Sequence, residues 1–205
     1  MNPKKIKLAI VGLGYVGLPL AIQFGKKIKN IKGFDLNFRR VNELLKFKDT
    51  TNELKSSDIK LAKNLKFTYK VEEIKDCNCF IVAVPTPVDK NKKPDFKLLN
   101  GACKLIGKIL KKKDIVIFES TVYPGATEEV CVPILEKNSN LKFNKDFFIG
   151  YSPERINPGD KKHRLENIVK IVAGSKPKIT DFLSNLYSTI VKAGIHKVTS
   201  IKTAE

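Results

Sequence analysis

The sequence predicts an α/β fold in which helices cover both faces of a doubly wound, mainly parallel sheet. Helical and strand patterns alternate along the 205 residues, with no internal repeat or low-complexity linker between them. Residues 79–84 form an uncharged run that is typical of a strand buried on both faces. A hydrophobic content of 42% is enough for one large core. The fold is further expected to be Rossmann-like, because the first strand leads into a glycine loop.

That glycine loop is the most specific local pattern in the sequence. An apolar strand at residues 6–11 precedes Gly12, Gly14 and Gly17, and a helix is predicted over residues 15–27. Gly12 allows a tight turn, Gly14 lets the backbone approach a pyrophosphate, and Gly17 lets the helix pack on the strand. The next strand ends at Asp35, about 20 residues further on, where a carboxylate can accept hydrogen bonds from a ribose. Together these features predict a dinucleotide site whose phosphates lie at a helix N-terminus.

Asp35 also bears on which dinucleotide binds. A carboxylate in this place accepts hydrogen bonds from a free 2′-hydroxyl and repels a 2′-phosphate, which favours NAD over NADP. Arg39 and Arg40 follow closely, however, and an arginine after this strand can hold a phosphate. The residues therefore favour NAD and leave NADP open.

The remaining elements continue the alternation of strands and helices. Strands are predicted at residues 65–69, 79–84, 115–118, 147–149, 168–172 and 196–198. Helices are predicted at residues 38–47, 57–63, 96–112 and 177–191. A further helix follows Pro124 and Gly125, and Glu128 and Glu129 in its first turn suit the positive end of the helix dipole.

Several polar or glycine residues come just past the ends of predicted strands. They are Gly12, Asp35, Thr86, Thr121 and Glu154. Each of the last three has an ordinary explanation, since Thr86 could cap a turn, Thr121 could bond a neighbouring amide and Glu154 could pair with Arg155. Because open parallel sheets bind ligands at the carboxyl ends of their strands, the shared placement favours a single site.

The net charge of +18 raises the possibility of nucleic-acid binding. The arginines are only Arg39, Arg40, Arg155 and Arg164, and the lysines are scattered over predicted helices and turns with few aromatic residues among them. This distribution is typical of a solvated, lysine-rich surface. We therefore expect no nucleic-acid partner.

The uncharged stretch at residues 8–22 is too short to span a membrane, which takes ~20 residues, and three glycines and Pro19 interrupt it. We expect no membrane partner. Cys77, Cys79, Cys103 and Cys131 have neither a paired metal-ligand spacing nor a CxxC motif. They are expected to be buried, reduced thiols of a cytoplasmic protein that holds no metal.

Four ordered motifs resemble the UDP-glucose/GDP-mannose dehydrogenase family. They are VGLGYVG at residues 11–17, VPTP at 84–87, ESTVYPG at 119–125 and YSPERINPG at 151–159. Within that family they are most similar to bacterial UDP-N-acetylhexosamine 6-dehydrogenases of the Vi-antigen type, which make uronic acids for surface polysaccharides. The resemblance extends over essentially the whole chain, and four motifs in order are far more specific than the glycine loop alone.

The resemblance implies roles for residues around NAD. Tyr15 and Val16 would lie against the pyrophosphate. Asp35 and Arg40 would hold the adenosine ribose, so that Arg40 becomes an NAD ligand rather than a sign of NADP. Thr86 and Thr121 would contact the nicotinamide side.

The resemblance also implies roles in chemistry and substrate binding. Thr121 and Glu154 would have supporting places in the catalytic chemistry, and Arg155 and Ile156 would touch the nucleotide sugar. The glucose-specific branch has a phenylalanine where Arg155 stands, which favours an N-acetylated or related hexosamine. The substrate of the complete enzyme would thus be a UDP-N-acetylhexosamine, and that enzyme would be a homodimer formed through its central helical domain.

The family's reaction implies two successive hydride transfers from C6 of the sugar to two NAD molecules, through a thiohemiacetal and a thioester on a cysteine. A lysine would stabilise developing oxyanion charge. Neither residue has a counterpart in this sequence, and residues 200–205 resemble the start of the family's connecting helix. We therefore expect an NAD-binding Rossmann domain at residues 1–199, truncated before the central helical and C-terminal domains. Such a chain would bind NAD without turnover and could be a monomer.

Three alternatives remain at this stage. The chain could be another NAD-dependent oxidoreductase with the same glycine loop, such as a 6-phosphogluconate or 3-hydroxyacyl type, or a non-catalytic NAD-binding remnant. It could also be a non-catalytic basic binding protein. The motifs after the glycine loop favour the nucleotide-sugar dehydrogenase over the other oxidoreductases.

Overall fold

The computed structural model describes residues 6–88, 90, 93–154 and 165–205, and within them one sheet of eight strands forms the centre of the fold. The strands are β1 (Leu8–Val11), β2 (Ile31–Phe34), β3 (Leu65–Thr68), β4 (Cys79–Val82), β5 (Ile115–Phe118), β6 (Phe148–Tyr151), β7 (Lys170–Gly174) and β8 (Ile195–Lys197). Their order across the sheet is β3-β2-β1-β4-β5-β6-β7-β8. Strands β1 to β6 pair in parallel, β7 runs antiparallel to β6, and β8 is parallel to β7. The first six strands follow the order of dinucleotide-binding folds, so the predicted Rossmann-like, mainly parallel sheet is confirmed.

The described part of the chain contains seven α-helices, six of them between strands and the last after β8. They are α1 (Gly17–Gly25), α2 (Phe38–Leu45), α3 (Ser56–Leu61), α4 (Lys97–Ile109), α5 (Val132–Ser139), α6 (Pro177–Tyr187) and α7 (Ile201–Ala204). Short 3₁₀ turns occupy Val71–Glu73 and Leu165–Asn167, and Thr127–Cys131 forms a π-helical turn before α5. In the described residues no helix combines the length and the apolar character needed to cross a bilayer.

Alternate side chains of the central strands enter two separate apolar layers. Leu8 and Ile10 of β1 pack with α1 and α6 on one face, whereas Ala9 and Val11 pack with α4 and α5 on the other. The strands β4 and β5 alternate in the same way. This period of two buries both faces of the sheet, which explains why these strands carry no charge in the sequence.

Several element boundaries differ from the sequence prediction. The first helix starts at Gly17 instead of residue 15, because Tyr15 and Val16 belong to the glycine loop. The helix predicted to residue 191 ends at Tyr187, since a turn and Gly194, with φ +105°, redirect the chain into β8. The last helix, α7, begins after Ser200, whose side chain accepts a hydrogen bond from the main-chain N–H of Thr203.

The carboxylate of Glu205 connects the end of the described chain to the segment after β5. Its two oxygens accept hydrogen bonds from the main-chain N–H groups of Gly125 and Thr127. Gly125 has φ +103°, a backbone conformation that glycine adopts without strain. These contacts hold the segment at Gly125 and Thr127 against the end of α7. The assignment of residues 200–205 to a connecting helix of a larger enzyme stays a prediction.

The order of the strands also fixes where a ligand can bind. From β1 the chain proceeds to β2 on one side, whereas β4 pairs on the other side of β1. The loops after β1 and β4 therefore diverge and leave a crevice at the carboxyl ends of the strands.

Candidate functional site

A cavity of about 550 Å³ lies in this crevice. Its walls are residues 14–16 after β1, residues 83–87 after β4, residues 119–121 after β5, and Glu154 after β6. Four separate loops thus contribute to one site, as is usual for open α/β sheets. The volume falls within the range of small-molecule and cofactor sites, which is roughly 300–1,000 Å³.

The structure brings many of the sequence-predicted residues together on this cavity. Gly14, Tyr15, Val16, Thr86, Thr121 and Glu154 all line it. Gly12 and Gly17 belong to the glycine loop, and Asp35 and Arg40 bond to its Leu13, but none of these four residues is on the cavity wall. The predicted sugar-binding residues, Arg155 and Ile156, lie outside the described residues.

The three glycines of the loop differ in what surrounds them. Gly12 has φ +95°, and a Cβ there would lie 3.0 Å from the carbonyl oxygen of Ala83. A Cβ on Gly17 would lie 1.8 Å from the carbonyl oxygen of Gly12. A Cβ on Gly14 would meet no atom within 4 Å. The fold itself requires Gly12 and Gly17, whereas at Gly14 the space is left to the cavity.

This free space fits a dinucleotide. Gly14 borders the cavity shortly before α1. In the first turn of this helix Leu18 and Leu20 already donate to the carbonyl oxygens of Gly14 and Val16, and Pro19 has no N–H. The donors that remain are the main-chain N–H groups of Tyr15, Val16 and Gly17. A pyrophosphate placed there would receive hydrogen bonds from those amides and would benefit from the helix dipole. The loop therefore has both the room and the donors that such a group needs.

Asp35 is bonded to the glycine loop in the structure. Its Oδ2 accepts a hydrogen bond from the main-chain N–H of Leu13 at 2.8 Å, and its Oδ1 accepts one from the N–H of Asn37, also at 2.8 Å. Asn37 in turn caps α2, because its side chain accepts from the N–H groups of Arg39 and Arg40. The carboxylate thus joins the loop after β1 to the loop after β2.

Arg40 holds the same loop from the other side. Its Nε donates to the carbonyl oxygen of Leu13 at 2.9 Å, and its Nη2 lies 2.8 Å from Oδ1 of Asp49. The side chain of Arg40 is only 9% exposed. Burial alone would raise the pKa of Asp49, but hydrogen bonds from Thr51 and Arg40 outweigh it and hold this pKa below its ordinary value. The structure therefore gives Arg40 a supporting contact with the loop, and its direct contact with a ribose stays a prediction.

The loops after β4 and β5 are joined by two hydrogen bonds. Thr86 Oγ1 donates to the carbonyl oxygen of Thr121 at 2.5 Å, and Ser120 Oγ donates to the carbonyl oxygen of Val84 at 2.6 Å. The hydroxyl of Tyr151 donates to the carbonyl oxygen of Ser120. The two threonines predicted from the sequence thus lie on neighbouring loops that hold each other in place.

A buried ion cluster lies beside these threonines, and two of its members, Glu119 and Glu154, line the cavity. Lys170 Nζ lies 2.8 Å from Oε2 of Glu119 and 3.1 Å from Oε2 of Glu154. The hydroxyl of Tyr187 donates to Oε1 of Glu119. The side chains of Lys170, Glu119 and Glu154 are 5%, 0% and 9% exposed. We refer to Lys170, Glu119, Glu154 and Tyr187 as the Lys170 cluster.

Burial and charge act in opposite directions within the Lys170 cluster. Burial raises the pKa of Glu119, and the nearby Lys170 only partly offsets this. Burial by itself would lower the pKa of Lys170, but Glu119 and Glu154 hold it above its ordinary value. The lysine is therefore an ammonium at neutral pH, and its single charge is shared between two carboxylates.

Sequence reasoning missed Glu119, Lys170 and Tyr187. Glu119 could have been predicted, because it directly follows β5 in the same motif as Thr121. Lys170 gave no signal, since it is one of many lysines and becomes buried only because β7 turns back antiparallel to β6. Tyr187 gave none either, as an aromatic residue near the end of a helix is usually part of the core.

The cysteines take no part in this cavity. Cys77, Cys79, Cys103 and Cys131 are buried free thiols, and none of them lines the cavity wall. Burial raises the pKa of Cys77 to about 11, so this thiol is not a thiolate at neutral pH. Across the described ranges, no group of three or more histidine, cysteine, aspartate or glutamate residues could hold a metal ion.

Comparison with known proteins shows which family this chain matches. A family model described as the UDP-glucose/GDP-mannose dehydrogenase family, NAD binding domain, matches residues 6–191. The chain is similar to a UDP-N-acetyl-D-glucosamine 6-dehydrogenase of Pseudomonas aeruginosa, with 56% identity over 202 residues, 98% of this chain and 48% of that protein. A protein of the same name from Salmonella typhi is 51% identical over 98% of this chain and 47% of its own length.

Solved structures are similar as well. The crystal structure of an NDP-N-acetyl-D-galactosaminuronic acid dehydrogenase from Methanosarcina mazei Go1 matches with a TM-score of 0.88 and 27% identity, over 100% of this chain and 48% of that one. The chain thus spans about half the length of the curated relatives it matches.

Proposed function

Since this chain belongs to the UDP-glucose/GDP-mannose dehydrogenase family and matches its NAD-binding domain, we propose that its cavity binds NAD for a nucleotide-sugar 6-dehydrogenase. The observation that carries the proposal is the glycine loop. Gly12 and Gly17 are required by protein contacts, whereas Gly14 faces free space directly before α1. The open space at Gly14 is part of the cavity, so a ligand in the cavity can approach the backbone of the loop there.

The adenosine and pyrophosphate parts of the cofactor are assigned to the first two loops. Tyr15 and Val16, which line the cavity after Gly14, lie against the pyrophosphate. Asp35 accepts from the ribose hydroxyls while it holds Leu13, and Arg40 assists by keeping the loop in position. A 2′-phosphate would bring further negative charge towards Asp35, so NAD binds more tightly than NADP.

The nicotinamide part is assigned to the loops after β4 and β5. Thr86 and Thr121 offer hydroxyl groups on the cavity wall, and their hydrogen bond fixes the distance between the two loops. Glu154 lies on the same wall, where Lys170 holds its carboxylate. We assign Thr121 and Glu154 supporting roles in the chemistry.

The substrate proposed for the whole protein is a UDP-N-acetylhexosamine. The relative from Pseudomonas aeruginosa is named for UDP-N-acetyl-D-glucosamine, and at 56% identity this supports the same sugar class. Two NAD⁺ molecules, bound one after the other, would each accept one hydride from C6 of the sugar, and water would supply the second carboxylate oxygen of the uronic acid. Arg155 and Ile156 are proposed sugar contacts, and the whole enzyme is proposed to be a homodimer.

For the 205-residue chain by itself we propose NAD binding without turnover. The reaction needs a nucleophilic cysteine, and all four cysteines are buried away from the cavity wall. Four buried free thiols also suit a reducing compartment, so we propose a cytoplasmic location.

Titration calorimetry of the purified chain with NAD⁺ and NADP⁺ tests this function. We expect binding of NAD⁺, weaker binding of NADP⁺, and no release of NADH when UDP-N-acetylglucosamine or UDP-N-acetylgalactosamine is added. Absence of NAD⁺ binding at millimolar concentration would refute the cofactor assignment. NADH production by this chain would instead refute only the claim that it does not turn over.

A further inference from the structure

The Lys170 cluster places a fully buried carboxylate against the cavity. Glu119 has a side chain with 0% exposure, yet the residue forms part of the cavity wall between β5 and Thr121. Burying a carboxylate is costly, and a charge at such a place acts strongly on any charge that enters the cavity, because little water lies between them.

Two hydrogen bonds hold this carboxylate in one orientation. Lys170 Nζ donates to Oε2 at 2.8 Å, and the hydroxyl of Tyr187 donates to Oε1. Lys170 also donates to Glu154 at 3.1 Å, so that its ammonium does not belong to Glu119 alone. Glu119 and Glu154 belong to the cavity wall that carries Thr86 and Thr121, whereas Lys170 does not. The negative charge of the carboxylates therefore lies nearer to a bound cofactor than the positive charge of the ammonium does.

The two redox forms of the cofactor differ in charge at one place. The oxidised nicotinamide ring carries a positive charge, and the reduced ring is neutral, whereas the adenosine and pyrophosphate parts are the same in both. A fixed negative charge near the ring therefore stabilises the oxidised form and leaves the reduced form almost unaffected.

On these grounds, and resting on the proposed function, we propose that Glu119 shifts the relative affinity of the cavity towards oxidised NAD⁺ and away from NADH. Glu119 is a specificity-determining residue that acts through the electric field of its carboxylate. In a reaction that consumes two NAD⁺ in succession, this shift eases the exchange of NADH for NAD⁺ between the two steps.

The test is the ratio of the dissociation constant for NADH to that for NAD⁺, measured by calorimetry at about pH 8, well above the ordinary pKa of a glutamate side chain. We expect Glu119→Gln to lower this ratio about tenfold, which corresponds to ~1.4 kcal/mol. Tyr187→Phe removes a hydrogen bond from the same carboxylate but keeps the carboxylate itself, so it should lower the ratio less than Glu119→Gln does. Glu73→Gln is the matched control, because Glu73 is exposed and lies near Lys32 of β2, away from the cavity.

A variant that merely loosens the site would weaken both forms equally and leave the ratio unchanged. That outcome for a folded Glu119→Gln protein would overturn the proposal. If Glu119→Gln does not fold by circular dichroism, Glu154→Gln takes its place, because it removes a negative charge from the same wall at a more exposed position. An unchanged ratio there would likewise overturn the proposal. Failure of the wild-type chain to bind either form would refute the proposed function itself.

Discussion

Leu13 and Asp35 are joined by a hydrogen bond of 2.8 Å between the main-chain N–H of the glycine loop and the carboxylate at the end of β2. The carbonyl oxygen of Leu13 accepts from Arg40 Nε at 2.9 Å. One peptide segment, between Gly12 and Gly14, is thus held at its donor and at its acceptor by two side chains that we propose for the ribose site. Asp35 and Arg40 therefore stabilise the conformation of the glycine loop independently of a bound ligand.

Asp35→Ala should weaken both cofactor binding and the fold. The ribose loses an acceptor, so NAD⁺ affinity should fall about tenfold or more, and the N–H of Leu13 loses its partner at a cost of about 1–3 kcal/mol. Asp35→Asn keeps an acceptor but no charge, so it should reduce the preference for NAD⁺ over NADP⁺. Calorimetry and urea unfolding measure the two effects. Unchanged NAD⁺ affinity in Asp35→Ala would show that the ribose site lies elsewhere.

Gly14→Ala and Gly17→Ala form a matched pair in one loop. The added methyl group at Gly14 meets no protein atom, so the free energy of unfolding should change little while NAD⁺ binding is strongly weakened. At Gly17 the methyl group would lie 1.8 Å from a carbonyl oxygen, and we expect a destabilisation of about 1–3 kcal/mol or more. Normal NAD⁺ binding by Gly14→Ala would contradict the placement of the pyrophosphate.

Arg40→Met should destabilise the protein by about 3–5 kcal/mol, because it leaves the buried carboxylate of Asp49 without its cation. The glycine loop also loses the contact at Leu13, so NAD⁺ affinity should decrease. Arg39→Met, on the same helix but exposed, is the control and should leave both quantities near the wild-type values. Equal effects of the two substitutions would argue against a special role for Arg40.

Lys170→Met should destabilise the protein by about 3–5 kcal/mol at neutral pH, since two buried carboxylates lose a shared cation. The loss should be smaller at about pH 5, because a carboxylate with a raised pKa is stabilised by protonation at low pH. Urea unfolding at both pH values measures this difference. Lys192→Met removes an exposed ammonium and should show neither the loss nor its pH dependence.

Asp114 predicts a pH dependence of stability. Burial raises the pKa of this carboxyl to about 6, although Lys111 partly opposes the shift. The ordinary value is 3.8, so the folded protein retains a proton that the unfolded chain has lost between these two pH values. The free energy of unfolding should therefore fall as pH rises from about 4 to about 6, by at most about 3 kcal/mol at ~1.4 kcal/mol per pKa unit. Asp114→Asn should reduce this slope, and the remainder belongs to other carboxyl groups with a raised pKa, such as Glu119. An unchanged slope would assign the whole effect to those other groups.

Much of the fold followed from local patterns. The uncharged strand runs and the glycine loop predicted the parallel sheet, because burial on both faces excludes charge and a tight turn before a helix requires glycine. The boundaries of α1 and α6 were less well predicted, since Tyr15, Val16 and residues 188–191 have side chains that fit either a helix or a turn. The sequence also could not show that β7 runs antiparallel, because the direction of a strand depends on its neighbours.

The candidate site, too, could be predicted only in part from the sequence. By itself the sequence determined the loops that line the cavity, since Gly14, Thr86, Thr121 and Glu154 each follow a strand and the carboxyl ends of parallel strands meet at one edge. Only the tertiary structure decided that Arg40 donates a hydrogen bond to Leu13 and that Lys170 forms ion pairs with both Glu119 and Glu154. The reason is physical: a motif specifies the backbone around itself, whereas a buried ion pair depends on distant segments whose approach no local pattern encodes.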